Sequence, residues 1–144
     1  MKNLLQKIKQ GFTLVEILVV VVIIGILAAI AIPTYFRLTE NTYAKEAEIQ
    51  IKNMVKSAGQ YKLEEGTLPG DCWETMLESG HIEITEAVTD SWEFECSWDW
   101  DQNTSRMEGT VSATSTDENG AGPGNTVTYN IEENEFTGFG QGAE

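Results

Sequence analysis

The longest apolar run in the chain lies near its start. Residues 12–32 read FTLVEILVVVVIIGILAAIAI, and Glu16 is the only charged residue among these 21. An α-helix of that length measures about 30 Å, which is the thickness of the hydrocarbon core of a bilayer. The pattern therefore predicts a membrane-spanning helix.

After this run the helical pattern continues, but its character changes from apolar to amphipathic. Between Thr34 and about Glu65, apolar residues recur at steps of three and four and form one stripe, while charged residues take the other faces. The stripe comprises Ala44, Ala47, Ile51, Met54, Val55, Ala58 and Tyr61. The segment Gly66-Thr67-Leu68-Pro69-Gly70 follows, and Gly and Pro at that place end a helix. We expect the stripe to pack against the rest of the chain.

The remaining sequence predicts a small antiparallel sheet. A connecting segment over 71–90, with a short helix near 73–79, leads to a strand over 91–100 that alternates apolar and polar residues. Further strands are predicted around Met107–Ala113 and Val127–Ile131, with an edge strand over 135–139 and a flexible surface loop over 116–124. The predicted fold class is α+β, in which the long helix packs through its amphipathic half on the sheet.

Charge is distributed unevenly along the chain. The formal net charge is −14, from 23 acidic residues against nine Lys and Arg. Lys2, Lys7 and Lys9 precede the apolar run, so that from Phe12 onward the side chains carry −17. This asymmetry predicts a cytoplasmic N-terminus and an acidic head on the other side of the membrane. The acidic head should repel phosphate backbones, so we expect no direct nucleic-acid binding.

Hydropathy alone leaves alternatives for the N-terminus. Ala28, Ala29 and Ala31 imitate a signal-peptidase site, although the run is longer than the apolar core of an ordinary secretory signal. A plain signal anchor is a second alternative. Glu16 argues against both, because a carboxylate inside an apolar span costs about 2.5–3.5 kcal/mol and marks a functional site by default. It lies one helical turn after Phe12, where cleavage before Phe12 would create an α-amine of opposite charge.

The segment Gly11-Phe12-Thr13-Leu14-Val15-Glu16, between a basic leader and an apolar helix, resembles the type IV prepilin signature. The resemblance covers residues 1–36. It implies that a membrane prepilin peptidase cleaves between Gly11 and Phe12 and N-methylates Phe12. It also implies that Glu16 guides each subunit onto a growing filament. Type II secretion pseudopilins and competence pilins share this signature.

Together with the helical and strand patterns, this resemblance divides the chain into four expected parts. Residues 1–11 form a leader that is cleaved, 12–33 the transmembrane and filament-core helix, 34–65 the amphipathic half of the helical spine, and 66–144 the β head. Gly25 and Pro33 also occupy positions where the family commonly has these residues. Because proline lacks an N–H and glycine is a weak helix former, we expect the helix to kink or loosen between them when subunits pack. The alternative for Pro33 is a simple kink where the chain leaves the membrane.

Cys72 and Cys96 both lie beyond the apolar run, and no metal-binding spacing accounts for them. If the head is exported, the pair predicts one disulfide, and two buried free thiols are the alternative. The sequence offers no credible nucleophile and base pair, and its only histidine is His81. We therefore expect a protein that is not an enzyme and has no cofactor. Asp99, Asp101 and Asn103 form a weak candidate calcium site, because the run lacks the glycine and the glutamate that an EF-hand requires.

The sequence thus predicts the structural subunit of a type IV pilus, a surface filament for adhesion, twitching motility or DNA uptake. Alternatives are a pseudopilin of a type II secretion system and a minor tip pilin with a ligand-binding role. The expected partners are other copies of the chain, the prepilin peptidase, the inner-membrane assembly platform and, before assembly, membrane lipid. The expected location is the inner membrane before assembly and an extracellular pilus afterwards.

Overall fold

The computed structural model describes residues 11–141. Two compact units share them, with a boundary between Phe36 and Arg37. Helix α1 (Leu14–Glu65) supplies the first unit and the beginning of the second. It ends at Glu65, as the sequence predicted, and Gly66 follows with a φ of 81° that favours glycine.

The first unit is mainly a segment of apolar helix, and its side chains are largely uncovered. The large apolar side chains from Phe12 to Phe36 are 49–83% exposed to solvent. Within the described residues, α1 is the one helix whose length and apolar composition suit it to crossing a membrane. This surface needs either lipid or other protein to cover it.

The second unit contains a four-stranded antiparallel sheet in the order β1-β2-β3-β4. Its strands are β1 (Trp92–Asp101), β2 (Arg106–Ser115), β3 (Thr126–Asn130) and β4 (Glu135–Gly138). Two short helices, α2 (Glu74–Glu78) and α3 (Glu86–Ser91), lie between α1 and β1. The predicted fold class, α+β with a long apolar helix and a small antiparallel sheet, is confirmed. Helix α3 was not predicted, β4 is one residue shorter than expected, and Ile131 lies just beyond β3.

The predicted stripe on α1 forms one wall of the core. Ala44, Ala47 and Ile51 are fully buried in one cluster with side chains from three strands. The strand residues in this cluster are Trp92, Val111, Ala113, Val127 and Tyr129. Burial of these residues, each worth about 1.5–3 kcal/mol when large and apolar, holds the helix on the sheet.

A second cluster continues the core toward the end of α1. Met54 and Ala58 pack there with Met76 of α2, and Cys72 belongs to the same cluster. Cys72 forms a disulfide with Cys96 of β1, with 5.3 Å between their Cα atoms. The disulfide prediction is thus met in the structure, and the bond ties the segment that leaves α1 to the first strand.

The loop between β2 and β3 is more structured than its glycine content suggested. Asn119 is only 5% exposed, and its side-chain amide donates a hydrogen bond to the carbonyl of Ser91. The hydroxyl of Ser115 donates to Gly122 and accepts from the N–H of Asn125. The expectation of a flexible surface loop took no account of these internal hydrogen bonds.

Candidate processing and assembly site at the start of the helix

The first turn of α1 is closed by Thr13 and Glu16. The backbone N–H and the hydroxyl of Thr13 both donate to Oε2 of Glu16, at 2.8 and 2.9 Å. In return, the N–H of Glu16 donates to the Thr13 hydroxyl at 3.2 Å. Because α1 begins at Leu14, Thr13 is the N-cap and Glu16 the third helical residue, which is the arrangement called a capping box.

The capping box gives Glu16 a structural task that the sequence interpretation missed. The signal was present as Thr-x-x-Glu directly before an apolar run, which is the usual sequence pattern of a helix start. The interpretation of Glu16 as a buried charge considers only the cost of a carboxylate in a membrane. The carboxylate is held by hydrogen bonds at the beginning of the helix.

The structure places Gly11 and Phe12 immediately before this cap, outside the helix. Both are exposed, and the ring-bearing residue Phe12 is 83% exposed. An exposed segment outside regular secondary structure is the kind of site at which a protease can reach a peptide bond. The basic leader residues Lys2, Lys7 and Lys9 lie outside the described residues.

Gly25 and Pro33 lie within α1, which continues through both of them. Pro33 removes the N–H that would otherwise bond to the carbonyl of Ala29. At the next residue, the hydroxyl of Thr34 donates to the carbonyl of Ile30 at 3.0 Å, which adds a side-chain bond beside the interruption. A Cβ built on Gly25 would meet nothing within 4 Å, so no contact in the first unit explains this glycine.

The weak calcium candidate lies in the second unit, at the hairpin between β1 and β2. Asp101 accepts hydrogen bonds from the hydroxyl of Thr104 at 2.7 Å and from the N–H of Asn103 at 2.8 Å. These bonds hold the pKa of Asp101 below its ordinary value, and the bond from the Thr104 hydroxyl has the largest effect. Among residues 11–141, no three His, Cys, Asp or Glu side chains are grouped as metal ligands. The carboxylate of Asp101 closes a turn.

The histidine lies near the end of α1. One ring nitrogen of His81 lies 3.0 Å from a carboxylate oxygen of Glu64, and the other lies 2.8 Å from the hydroxyl of Ser79. The ring also meets that of Tyr61 edge to face. These contacts fasten the segment after α2 to the helix.

Comparison with known proteins supports the N-terminal assignment. A family model described as the prokaryotic N-terminal methylation motif matches residues 6–32. A fimbrial protein of Neisseria meningitidis serogroup B is 39% identical over 69 residues, which are 48% of this chain and 39% of the relative. The type IV major pilin protein PilE of Neisseria gonorrhoeae is 39% identical over 69 residues, 48% of this chain and 40% of the relative. A fimbrial protein of Pseudomonas aeruginosa is 45% identical over 60 residues, 42% of this chain and 38% of the relative.

The chain matches about two fifths of the length of these relatives. No solved structure matches it. The resemblance found in the sequence is nevertheless confirmed: the chain carries the prokaryotic N-terminal methylation signature and is similar to fimbrial and type IV pilin proteins over 60–69 residues. It joins that signature to the long apolar helix and four-stranded antiparallel sheet of an α+β fold.

Proposed function

We propose that this chain is the precursor of a structural subunit of a type IV pilus. The observation that carries the proposal is the exposed apolar surface of α1 from Phe12 to Phe36, directly preceded by the methylation motif. Such a surface is solvated by lipid before assembly and is buried against the same surface of other copies in a filament. The most important partner is therefore the chain itself.

Processing is the first step of the proposed function. A membrane prepilin peptidase removes residues 1–11 by cutting between Gly11 and Phe12, and Phe12 is then N-methylated. The exposure of both residues before the first turn of α1 supports this step. Cleavage leaves a positive amine one residue before Thr13, at the positive end of the helix dipole.

Glu16 supplies the charge that matches this amine. In the uncut chain its carboxylate already faces back over the first turn, 2.8 Å from the N–H of Thr13. A buried carboxylate and a buried amine are each costly in an apolar filament core, and together they offset much of that cost. The pair forms within one subunit or between an incoming subunit and its neighbour, and in either case it favours docking at the assembly platform.

Charge also sets the proposed orientation. The lysines before α1 remain in the cytoplasm, and the acidic head lies outside the inner membrane until the subunit joins an extracellular pilus. The disulfide between Cys72 and Cys96 agrees with this location, because such bonds persist in oxidising compartments.

A pseudopilin of a type II secretion system and a minor tip pilin share the same N-terminal signature. The relatives favour a pilus subunit, since they are named fimbrial protein and type IV major pilin protein. A tip pilin that binds a ligand would need a recognition site on its head, and no structural feature of the described head favours one.

Deletion of the gene separates these three functions when three phenotypes are scored together. A major pilus subunit predicts loss of surface filaments and of twitching, with release of exoproteins unchanged. A pseudopilin predicts the reverse, and a tip pilin predicts filaments that remain but no longer attach. Complementation with the parent gene is the control, and normal filaments in the deletion strain would contradict the proposal.

A further inference from the structure

The hairpin between β1 and β2 carries a short sequence pattern that is recognised for covalent modification. Residues 103–105 read Asn-Thr-Ser, the acceptor pattern for N-linked glycosylation, Asn-x-Ser/Thr with x other than proline. Asn103 is the only one of the eight asparagines in the sequence that stands in this pattern. For an exported domain, the pattern identifies a candidate modification site on the surface.

The structure presents this pattern at a hairpin tip. The strands pair in register from Trp92 opposite Ser115 to Asp101 opposite Arg106, so that residues 102–105 form the connecting loop. All four of these loop residues are exposed. A transferase that must bind Asn103 and the hydroxyl of Ser105 together meets no secondary structure that would have to unfold.

The tip also lies at the end of the second unit that is far from Arg37, the first residue of that unit. Trp100 stands two residues before the hairpin loop, and the ammonium of Lys62, in the last turn of α1, lies 5.7 Å from the centroid of its ring. The Gly120 loop at the other end of the sheet instead meets Tyr43, near the start of the second unit. The helix between residues 37 and 62 is about 38 Å long at 1.5 Å per residue. A bulky group on the tip is therefore kept away from Arg37, where the second unit begins.

The hydrogen bonds at the hairpin tip leave the side-chain amide of Asn103 accessible to an enzyme. Its Nδ2 donates to Asp101 at 3.2 Å, a long contact on an exposed side chain. The stronger bonds to Asp101 come from the backbone N–H of Asn103 and from the hydroxyl of Thr104. The amide can thus leave Asp101 while the turn remains closed. The carboxylate, two residues before Asn103, adds a charge by which a cationic transferase site can hold the segment.

We propose that Asn103 is an acceptor for an N-linked glycan. The donor class is an oligosaccharide attached to a membrane lipid through pyrophosphate. Nδ2 of Asn103 attacks the anomeric carbon, a C–N bond forms, and the C–O bond to pyrophosphate breaks. The lipid pyrophosphate leaves with the electron pair, and the amide gives up one proton to a base of the transferase. This inference rests on the proposed function in one respect, because the head must reach the outer side of the membrane where it meets the enzyme.

A hydrophilic glycan at this tip prevents close packing of protein on that surface. The tip would then face solvent when subunits assemble, and the glycan would enlarge the exposed end of an already acidic head. The modification needs no cavity, since the acceptor is a loop and the enzyme supplies the site.

The test is mass spectrometry of the full chain isolated from the cells that produce it, with peptide fragmentation that retains side-chain modifications. The expected result is a glycan mass on Asn103 of the peptide that contains it. Asn103→Gln and Ser105→Ala should each abolish that mass, since one removes the acceptor and the other the required hydroxyl. Gln102→Ala changes a neighbouring exposed residue outside the pattern and should leave the mass unchanged.

An unmodified Asn103 in the mature chain would overturn the proposal. So would a glycan that survives in Asn103→Gln, because it would be attached to Thr104 or Ser105. Melting temperatures of the variants show that each head is folded. The same samples are divided into sheared filaments and membranes. Filaments that contain unmodified Asn103 would contradict the glycan proposal and support the pilus proposal. Glycosylated protein that never enters filaments would contradict the pilus proposal and support the glycan proposal.

Discussion

The N–H of Thr13 lies 2.8 Å from the carboxylate of Glu16, and the hydroxyl of Thr13 receives the N–H of Glu16 in return. The residue expected to direct assembly thus also caps the helix that assembles. A capping residue contributes about 0.5–2 kcal/mol to helix stability, so that removal of Glu16 has two consequences. Experiments on Glu16 must therefore distinguish the effect of its charge on assembly from its effect on helix stability as a capping residue.

Processing gives the first prediction. Mature protein should begin at N-methylated Phe12, with residues 1–11 removed. Replacement of Gly11 by Val should block cleavage, because a branched side chain fills the position beside the scissile bond. The measurement is the mass of the N-terminal peptide, and the conservative variant Gly11→Ala serves as a control for the size of the added group. An intact start at Met1, or a cut near Ala31, would refute the prepilin interpretation.

The disulfide gives the second prediction. Cys72 and Cys96 are separated by 24 positions, and closure of such a loop stabilises the head by roughly 3–4 kcal/mol through the unfolded state. Cys96→Ala should therefore lower the melting temperature of a soluble fragment that begins at Thr39. The double variant with Cys72→Ala should melt close to the single one, because the bond is lost in both. Thiol reagents should label neither cysteine of the parent without a reductant, and ready labelling would contradict the bond.

Glu108 gives a prediction about pH. It stands opposite Asp99 in the register of β1 and β2, and partial burial, followed by the charges of Asp101 and Glu132, raises its pKa above the ordinary 4.5. A group whose pKa rises on folding stabilises the fold fully below its ordinary pKa. That contribution is lost as pH rises through the raised pKa. Ionised Glu108 therefore weakens the head at neutral pH.

Glu108→Gln should raise the melting temperature of the head at pH 7, and the gain should disappear near pH 3.5. The control is Glu93→Gln, since Glu93 stands opposite Thr114 and faces no carboxylate across the strands. A gain that is equal at both pH values, or equal in the control, would show that the charge of Glu108 is not the cause.

Gly120 gives a prediction about packing. A Cβ added there would collide with the hydroxyl and the ring carbon of Tyr43, whereas one added at Gly59 on α1 would meet nothing within 4 Å. Gly120→Ala should therefore destabilise the head by about 1–3 kcal/mol, as overpacking does. Gly59→Ala, the matched control, should be neutral or stabilising. In a double-mutant cycle, Tyr43→Leu should reduce the cost of Gly120→Ala, and strict additivity would contradict the contact.

The parts of the fold that follow from strong periodicity could be predicted from the sequence. The end of α1 at Glu65 follows from the Gly and Pro residues beyond it, and β1 follows from the alternation between Trp92 and Trp100. Helix α3 could not be predicted, because its six residues show no apolar period, and its first turn is closed by backbone bonds to Thr85. The order in the loop around Asn119 depends on Ser91, which lies 28 positions earlier, and local sequence carries no signal for such a bond.

The candidate site also has features that could be predicted from the sequence and features that could not. Gly11, Phe12 and Glu16 follow from a local pattern, and the cap formed by Thr13 was equally available in that pattern. Under the proposed function, the surface that covers residues 12–36 comes from lipid or from other copies of the chain, so a single chain does not contain both sides of this contact. Sequence identifies the exposed apolar residues, and assembly decides which of them meet.

The most direct test compares Glu16→Gln with Thr13→Val. Gln keeps the capping box and removes the charge, whereas Val removes the capping hydroxyl and keeps the charge. Both variants should be cleaved after Gly11, which the mass of the N-terminal peptide shows. Filaments are sheared from the cells, and filament protein is compared with the membrane pool by immunoblot.

If Glu16 acts through its charge on the amine of Phe12, Glu16→Gln should accumulate in the membrane and yield few or no filaments, while Thr13→Val should assemble nearly as well as the parent. Glu16→Ala, which loses both charge and cap, should be no better than Glu16→Gln. A normal filament yield from processed Glu16→Gln would contradict the account, and it would leave Glu16 as a helix cap rather than the residue that directs assembly.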